Sequence, residues 1–131
     1  MIRRGINHYT GNKIVMQTSV IDQKSDEYYV VMCTCPDQAS ADAVAHILVD
    51  QQLAACVNII PAVASVYRWQ GKIEKNSELL LLIKTKRIAL AGIETAIINH
   101  HPYELPEIIS IPIHSGLTHY LSWIDDTVVT I

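Results

Sequence analysis

No run of about 18 apolar residues occurs in the chain, so nothing in it reads as a transmembrane helix. Nothing reads as a secretory signal either. Such a signal needs an apolar stretch of about 7–15 residues, and the longest one near the start is Ile14-Val15-Met16. Cysteine is scarce, with only Cys33, Cys35 and Cys56. An odd, low number does not make a disulfide framework and fits reduced thiols in a cytoplasmic protein. Basic charge is not in excess. The formal net charge is −3, which argues against nucleic acid as the main partner, since such partners select basic patches. Glycine-rich phosphate loops, nucleophile elbows, repeats and low-complexity segments are all missing.

What is there is one domain's worth of chain. Of 131 residues, 50% are hydrophobic, enough to build a core at this size. Residues 1–27 are mixed and polar and read as an N-terminal extension, with residues 28–131 as the domain. Met16 is a candidate for the true start, which the intact mass of natively produced protein tests.

The pattern along the domain is regular. Tyr29 to Thr34 is a mostly apolar strand that ends before Pro36. Asp37 is a good N-cap for a helix whose inner stripe is Val44, Ile47, Leu48 and Gln51. Ala55 to Trp69 is a long β segment, and Pro61 within it marks an edge or a bulge. Trp69-Gln70-Gly71-Lys72 reads as a hairpin turn, and the return strand ends in the apolar run 79–83. A second helix is expected from Ile88 to Asn99, stopped by Pro102. Glu107 to Ile113 reads as a strand, and Leu117, Leu121, Ile124 and Val128 recur at helical spacing.

The order β-α-β-β-α-β plus a last helix gives an α+β fold class, the ferredoxin-like sandwich with an extra C-terminal helix. Its first and third strands are expected in the middle of the sheet, running parallel, because they are the most continuously apolar. The helices of such a unit cover one face of the sheet. The run 79–83 has no polar face, so something must cover the other side. A partner subunit is the simplest cover. The alternative is that the third helix folds under the sheet.

Three clusters hold residues able to do chemistry. Cys33 and Cys35 are two apart on a strand and so share a face. His100 and His101 end the second helix. Thiolate and imidazole together suit Cu(I), Cu(II) or zinc, although the spacing matches no standard metal motif. The plainer reading is a buried core cysteine and two histidines favoured by a helix C-terminus. The third cluster is Tyr67, Trp69, Lys84, Tyr103, Glu107 and Trp123. Lys84 and Glu107 lie at strand ends, where an acid–base pair would sit, though such pairs are more often structural.

Several segments together resemble the CutA divalent-cation tolerance family. They are Val30 to Asp37, Leu53 to Asn58, Tyr67 to Glu74, Ile83-Lys84-Thr85, His101 to Ile109 and Tyr120 to Ile124. The likeness runs over residues 29–127. It implies a ferredoxin-like homotrimer, built through the long hairpin and related in architecture to PII signalling proteins. It implies copper binding and metal tolerance, with Cys33, His100 and His101 as metal ligands and no matching role for Cys35. It also implies an inter-subunit cleft lined by Tyr67, Trp69, Lys84, Tyr103, Glu107 and Trp123. Three functions follow in order: metal binding, a PII-like trimer that takes a small ligand, and an enzyme using Lys84 and Glu107. The expectation is that the chain is not an enzyme.

Overall fold

The computed structural model describes residues 21–22 and 27–129. The extension read at 1–27, with its candidate start at Met16, lies almost entirely outside the described residues. A short strand β1 (Ile21–Asp22) is described there, and it pairs with β6 (Gly116–Leu117).

The domain begins with β2 (Tyr28–Cys35), an aromatic and β-branched segment that suits a half-buried pleated surface. Asp37 then caps α1 (Gln38–Asp50): its backbone is extended, and its carboxylate accepts from the Ser40 N–H at 2.8 Å. Ala41, Val44 and Leu48 form the buried stripe. Gln51, expected on that stripe, is instead the exposed C-cap. The turn out of α1 uses Gln52 at φ 57°, and the N–H groups of Leu53 and Ala54 return to the Leu48 carbonyl.

Next comes a hairpin of β3 (Cys56–Trp69) and β4 (Lys72–Lys86). Pro61 marks both features expected of it. β3 is an edge strand, and its register shifts between Ile60 and Val63, with Ala62 at φ 61°. Gln70 and Gly71 both take positive φ, 50° and 80°, which gives the two-residue turn the right twist for the flanking strands. A 3-10 turn (Arg87–Ala89) leads into α2 (Leu90–His100), so the helix starts two residues later than expected and Ile88 is exposed. The chain closes through β5 (Ile109–Pro112), shorter than expected, and α3 (Thr118–Thr127). Leu121, Ile124 and Val128 of the last apolar series are buried. Leu117, the first of it, caps α3 and stays exposed.

The sheet order is β3-β4-β2-β5, so the first and third strands of the repeat, β2 and β4, are central as expected. They run antiparallel, not parallel. The reason is connectivity. A helical crossover restores the strand direction, so β2 and β3 point the same way, and the tight hairpin then reverses β4. Alternation sends Val31, Cys33 and Cys35 of β2, and Leu81, Ile83 and Thr85 of β4, into one buried core with α1 and α2.

α3 does not fold under the sheet. Leu121 and Ile124 join the same core, and Asp125 binds Lys86 at 2.8 Å and the Tyr28 hydroxyl at 2.7 Å. The second sheet face carries Val30, Met32, Leu80, Leu82, Ile60, Ile109 and Ile111 in cross-strand register. On it Ile60, Ile109 and Ile111 are 40%, 52% and 46% exposed. Among the described residues, no helix is long and apolar enough to cross a membrane.

Candidate functional site

The C-terminus of α2 builds the first candidate site. A residue before proline is pushed out of the helical region. His101 accordingly leaves α2 with φ −92° and ψ 141°, and its ring turns back toward the end of β2. The Tyr103 backbone N–H donates to its Nδ1 at 3.0 Å, which places the ring proton on Nε2. Nε2 donates to the Thr34 carbonyl at 2.7 Å. His101 is buried there, against the residue that separates the two cysteines of β2. One donor atom each from Cys33, Cys35 and His101 lie within 4.8 Å of one another.

Both sulphurs are buried, and they interact with each other. The hydrogen bond with Cys35, then burial, holds the Cys33 thiol far above the ordinary cysteine range. The same bond from Cys33, helped by Ser40 and opposed by burial, holds Cys35 below it. Cys56 is a free thiol elsewhere, half-buried at the start of β3.

His100 goes another way. It is still helical, its Nδ1 is 2.8 Å from the Ala96 carbonyl, and its side chain is exposed beside a shallow groove with Leu53, Gly92 and Asn99. Of the residues proposed as ligands, the structure thus brings Cys33 and His101 together and leaves His100 apart. Cys35 completes the cluster.

The second candidate site is a cleft of about 770 Å³ between the far half of the hairpin and the loop after α2. Tyr67, Trp69, Tyr103 and Glu107 line it, as do Thr34 and Glu78. Lys84 and Trp123 do not line it. Lys84 sits on the second sheet face and donates to the Asn58 side chain. Trp123 is on α3, with its ring 5.5 Å from that of Tyr120. Among the described residues no ion pair joins Lys84 to Glu107.

Glu78 is the cleft residue that sequence reasoning passed over. It is only 5% exposed, and the Tyr103 hydroxyl donates to its Oε2 at 2.8 Å. Burial, then that bond, holds the Tyr103 phenol above its ordinary range. The available signal was an acid placed directly before the apolar run 79–83, opposite the Pro61 bulge. Tyr103 links the two sites: its N–H holds His101, and its hydroxyl holds Glu78.

Residues 29–127 match the family model described as CutA1 divalent ion tolerance protein. A CutA homolog of Xenopus laevis is 44% identical over 95 residues, 72% of this chain and 63% of that protein. The divalent-cation tolerance protein CutA of Thermus thermophilus is also 44% identical over 95 residues, covering 92% of its length. Among solved structures, CutA from Xylella fastidiosa superposes with a TM-score of 0.76 at 43% identity, over 78% of this chain and 98% of that one. CutA from Archaeoglobus fulgidus, described as a periplasmic divalent cation tolerance protein, superposes equally well, with a TM-score of 0.76 at 37% identity over 78% of this chain and 99% of that one.

Proposed function

Because the chain belongs to the CutA1 divalent ion tolerance family, we propose that it is a metal-binding protein of metal homeostasis that takes copper-type ions at the buried cluster of Cys33 and His101. The observation that carries this reading is the meeting of a strand thiol and a helix-end imidazole within donor range of each other. Thiolate and imidazole are the donors that soft and borderline ions select, and zinc is the other ion they suit. Nothing in this role requires bond chemistry, and the chain is read as a binder rather than an enzyme. Free thiols fit a cytoplasmic setting, which cell fractionation tests against the periplasmic description of the Archaeoglobus relative.

The subunit is read as ferredoxin-like and its working form as a homotrimer. The apolar second face of the sheet supports assembly. Lys84 and Trp123, apart from the cleft within one chain, would join it from a neighbouring one. Isothermal titration with copper and zinc tests the metal reading. Cys33→Ala and His101→Ala are each expected to lose the tight site, while His100→Ala keeps it. Tight binding that survives both Cys33→Ala and His101→Ala would overturn it.

The cleft supports a second reading, a PII-like trimer that takes a small ligand. Its support is the combination of a large concave space, aromatic walls and the buried Glu78. Titration with small anions and metabolites against Trp69→Ala and Glu107→Gln separates the two readings.

A further inference from the structure

The cluster contains one donor more than the metal reading needs, and that donor decides what the site can hold. Resting on that reading, we propose that Cys35 is a third ligand, completing a dithiolate–imidazole centre with Cys33 and His101 that takes a monovalent thiophilic cation of the Cu(I) class in preference to Cu(II) or zinc.

The argument begins with the strand. Residues two apart on β2 project to the same side, so Cys33 and Cys35 present both sulphurs to the core. Pro102 then forces His101 out of the helix and brings its imidazole against the backbone between them, at the Thr34 carbonyl. A trigonal ion that holds sulphur at about 2.3 Å spaces its donors about 4 Å apart. Here the three donors are already within 4.8 Å, so closure is a matter of side-chain adjustment.

Donor number sets the preference. Among the described residues no further histidine, cysteine or carboxylate atom joins the cluster, and all three members are buried. Zinc takes four donors, so on two cysteines and one histidine it needs an added ligand such as water, which a buried cluster disfavours, and Cu(II) favours tetragonal nitrogen and oxygen sets. Two sulphurs and one nitrogen suit a closed-shell soft cation that accepts three donors. Without metal, both ring nitrogens of His101 are engaged, so coordination exchanges one of these hydrogen bonds for the ion. Thr34 and Tyr103, which hold the His101 ring, also line the cleft beside Glu78 and Glu107.

The test is anaerobic competition of the reduced full chain for Cu(I) against a chromophoric Cu(I) chelator, with Ag(I) as a redox-inert probe. X-ray absorption then counts the sulphurs on the bound ion. The expected result is one Cu(I) per chain with two sulphur neighbours. Cys35→Ser should weaken Cu(I) binding at least about 100-fold, the upper end of what losing even an outer-shell partner costs. Cys56→Ser should leave it unchanged. One sulphur in wild type, or undiminished affinity in Cys35→Ser, overturns the role of Cys35. Tighter binding of zinc or Cu(II) than Cu(I) at the cluster overturns the preference. A wild type that binds none of these ions defeats the metal reading itself. The sulphur count uses wild type alone, so it stands even where Cys35→Ser fails to fold.

Discussion

Charging the second face of the sheet should take the assembly apart while leaving the subunit folded. The variant is Ile109→Lys/Ile111→Lys on β5. In the single chain these side chains are 52% and 46% exposed, and Ile60 across the sheet is 40% exposed. Fully burying an isoleucine stabilises by about 1.5–3 kcal/mol, so covering the remaining half of each is worth about 1 kcal/mol. The three residues together then contribute about 3 kcal/mol per subunit, roughly a hundredfold in an association constant. Two lysines reverse the sign, because an unpaired ammonium in an interface costs several kcal/mol more. Sedimentation equilibrium at micromolar concentration should give three times the 14.6 kDa chain mass for wild type and the chain mass for the variant. Circular dichroism should find both folded, since neither side chain belongs to the core. Ile88→Lys, at a position 64% exposed in the turn before α2 and outside the sheet, should leave the assembly intact. Wild type sedimenting at the chain mass refutes the reasoning outright, and so does a double-lysine variant that assembles as wild type does.

Assembly should also appear in heat. The melting temperature should rise with protein concentration and lie above the usual range of about 45–65 °C, whereas a concentration-independent melt inside that range contradicts it. Tyr103→Phe strips the buried Glu78 carboxylate of its hydroxyl donor. It should lower stability by about 1–3 kcal/mol in urea denaturation, and an unmoved midpoint would show that the bond contributes nothing. Lys86 is held above the lysine range first by its hydrogen bond to Asp125 and then by its attraction to Asp125 and Glu27. Its folded value is the higher one, so its contribution is complete below the ordinary value of 10.5 and is lost as pH rises through the folded one. The stability gap between wild type and Lys86→Met should therefore narrow above about pH 10.5; a constant gap argues against the pair.

Much of the fold was legible because local chemistry and tertiary packing agree. The Asp37 cap, the Gly71 turn and the Pro102 stop are each set by one residue acting on the local backbone, through a carboxylate, a missing Cβ and a ring. The central place of β2 and β4 followed from the apolar character of both strands. What failed was direction and extent. Strand polarity depends on the number of reversals in the path, and apolar content carries no record of that number. Gln51 and Leu117 fit a helical period yet lie one residue outside their helices, where the cap takes them out of the stripe. Glu78 escaped notice because a lone acid beside an apolar run looks like a strand end. Its partner, the Tyr103 hydroxyl, is 25 residues away.

The site shows the same division. Adjacent residues on a helix point about 100° apart, so two neighbouring histidines cannot both face one centre while the helix persists. Pro102 fixes where it stops, and the residue directly before proline is the one that leaves it. That is His101, and His100 stays bonded toward the Ala96 carbonyl in the last turn. The choice between the two histidines was thus contained in the His-His-Pro order. The meeting with the cysteines was not. It requires the end of α2 to lie over the end of β2, and the hydrogen bond that marks it joins residues 67 apart in sequence. Once that meeting is given, strand alternation makes Cys35 as available as Cys33, and the cluster has three donors.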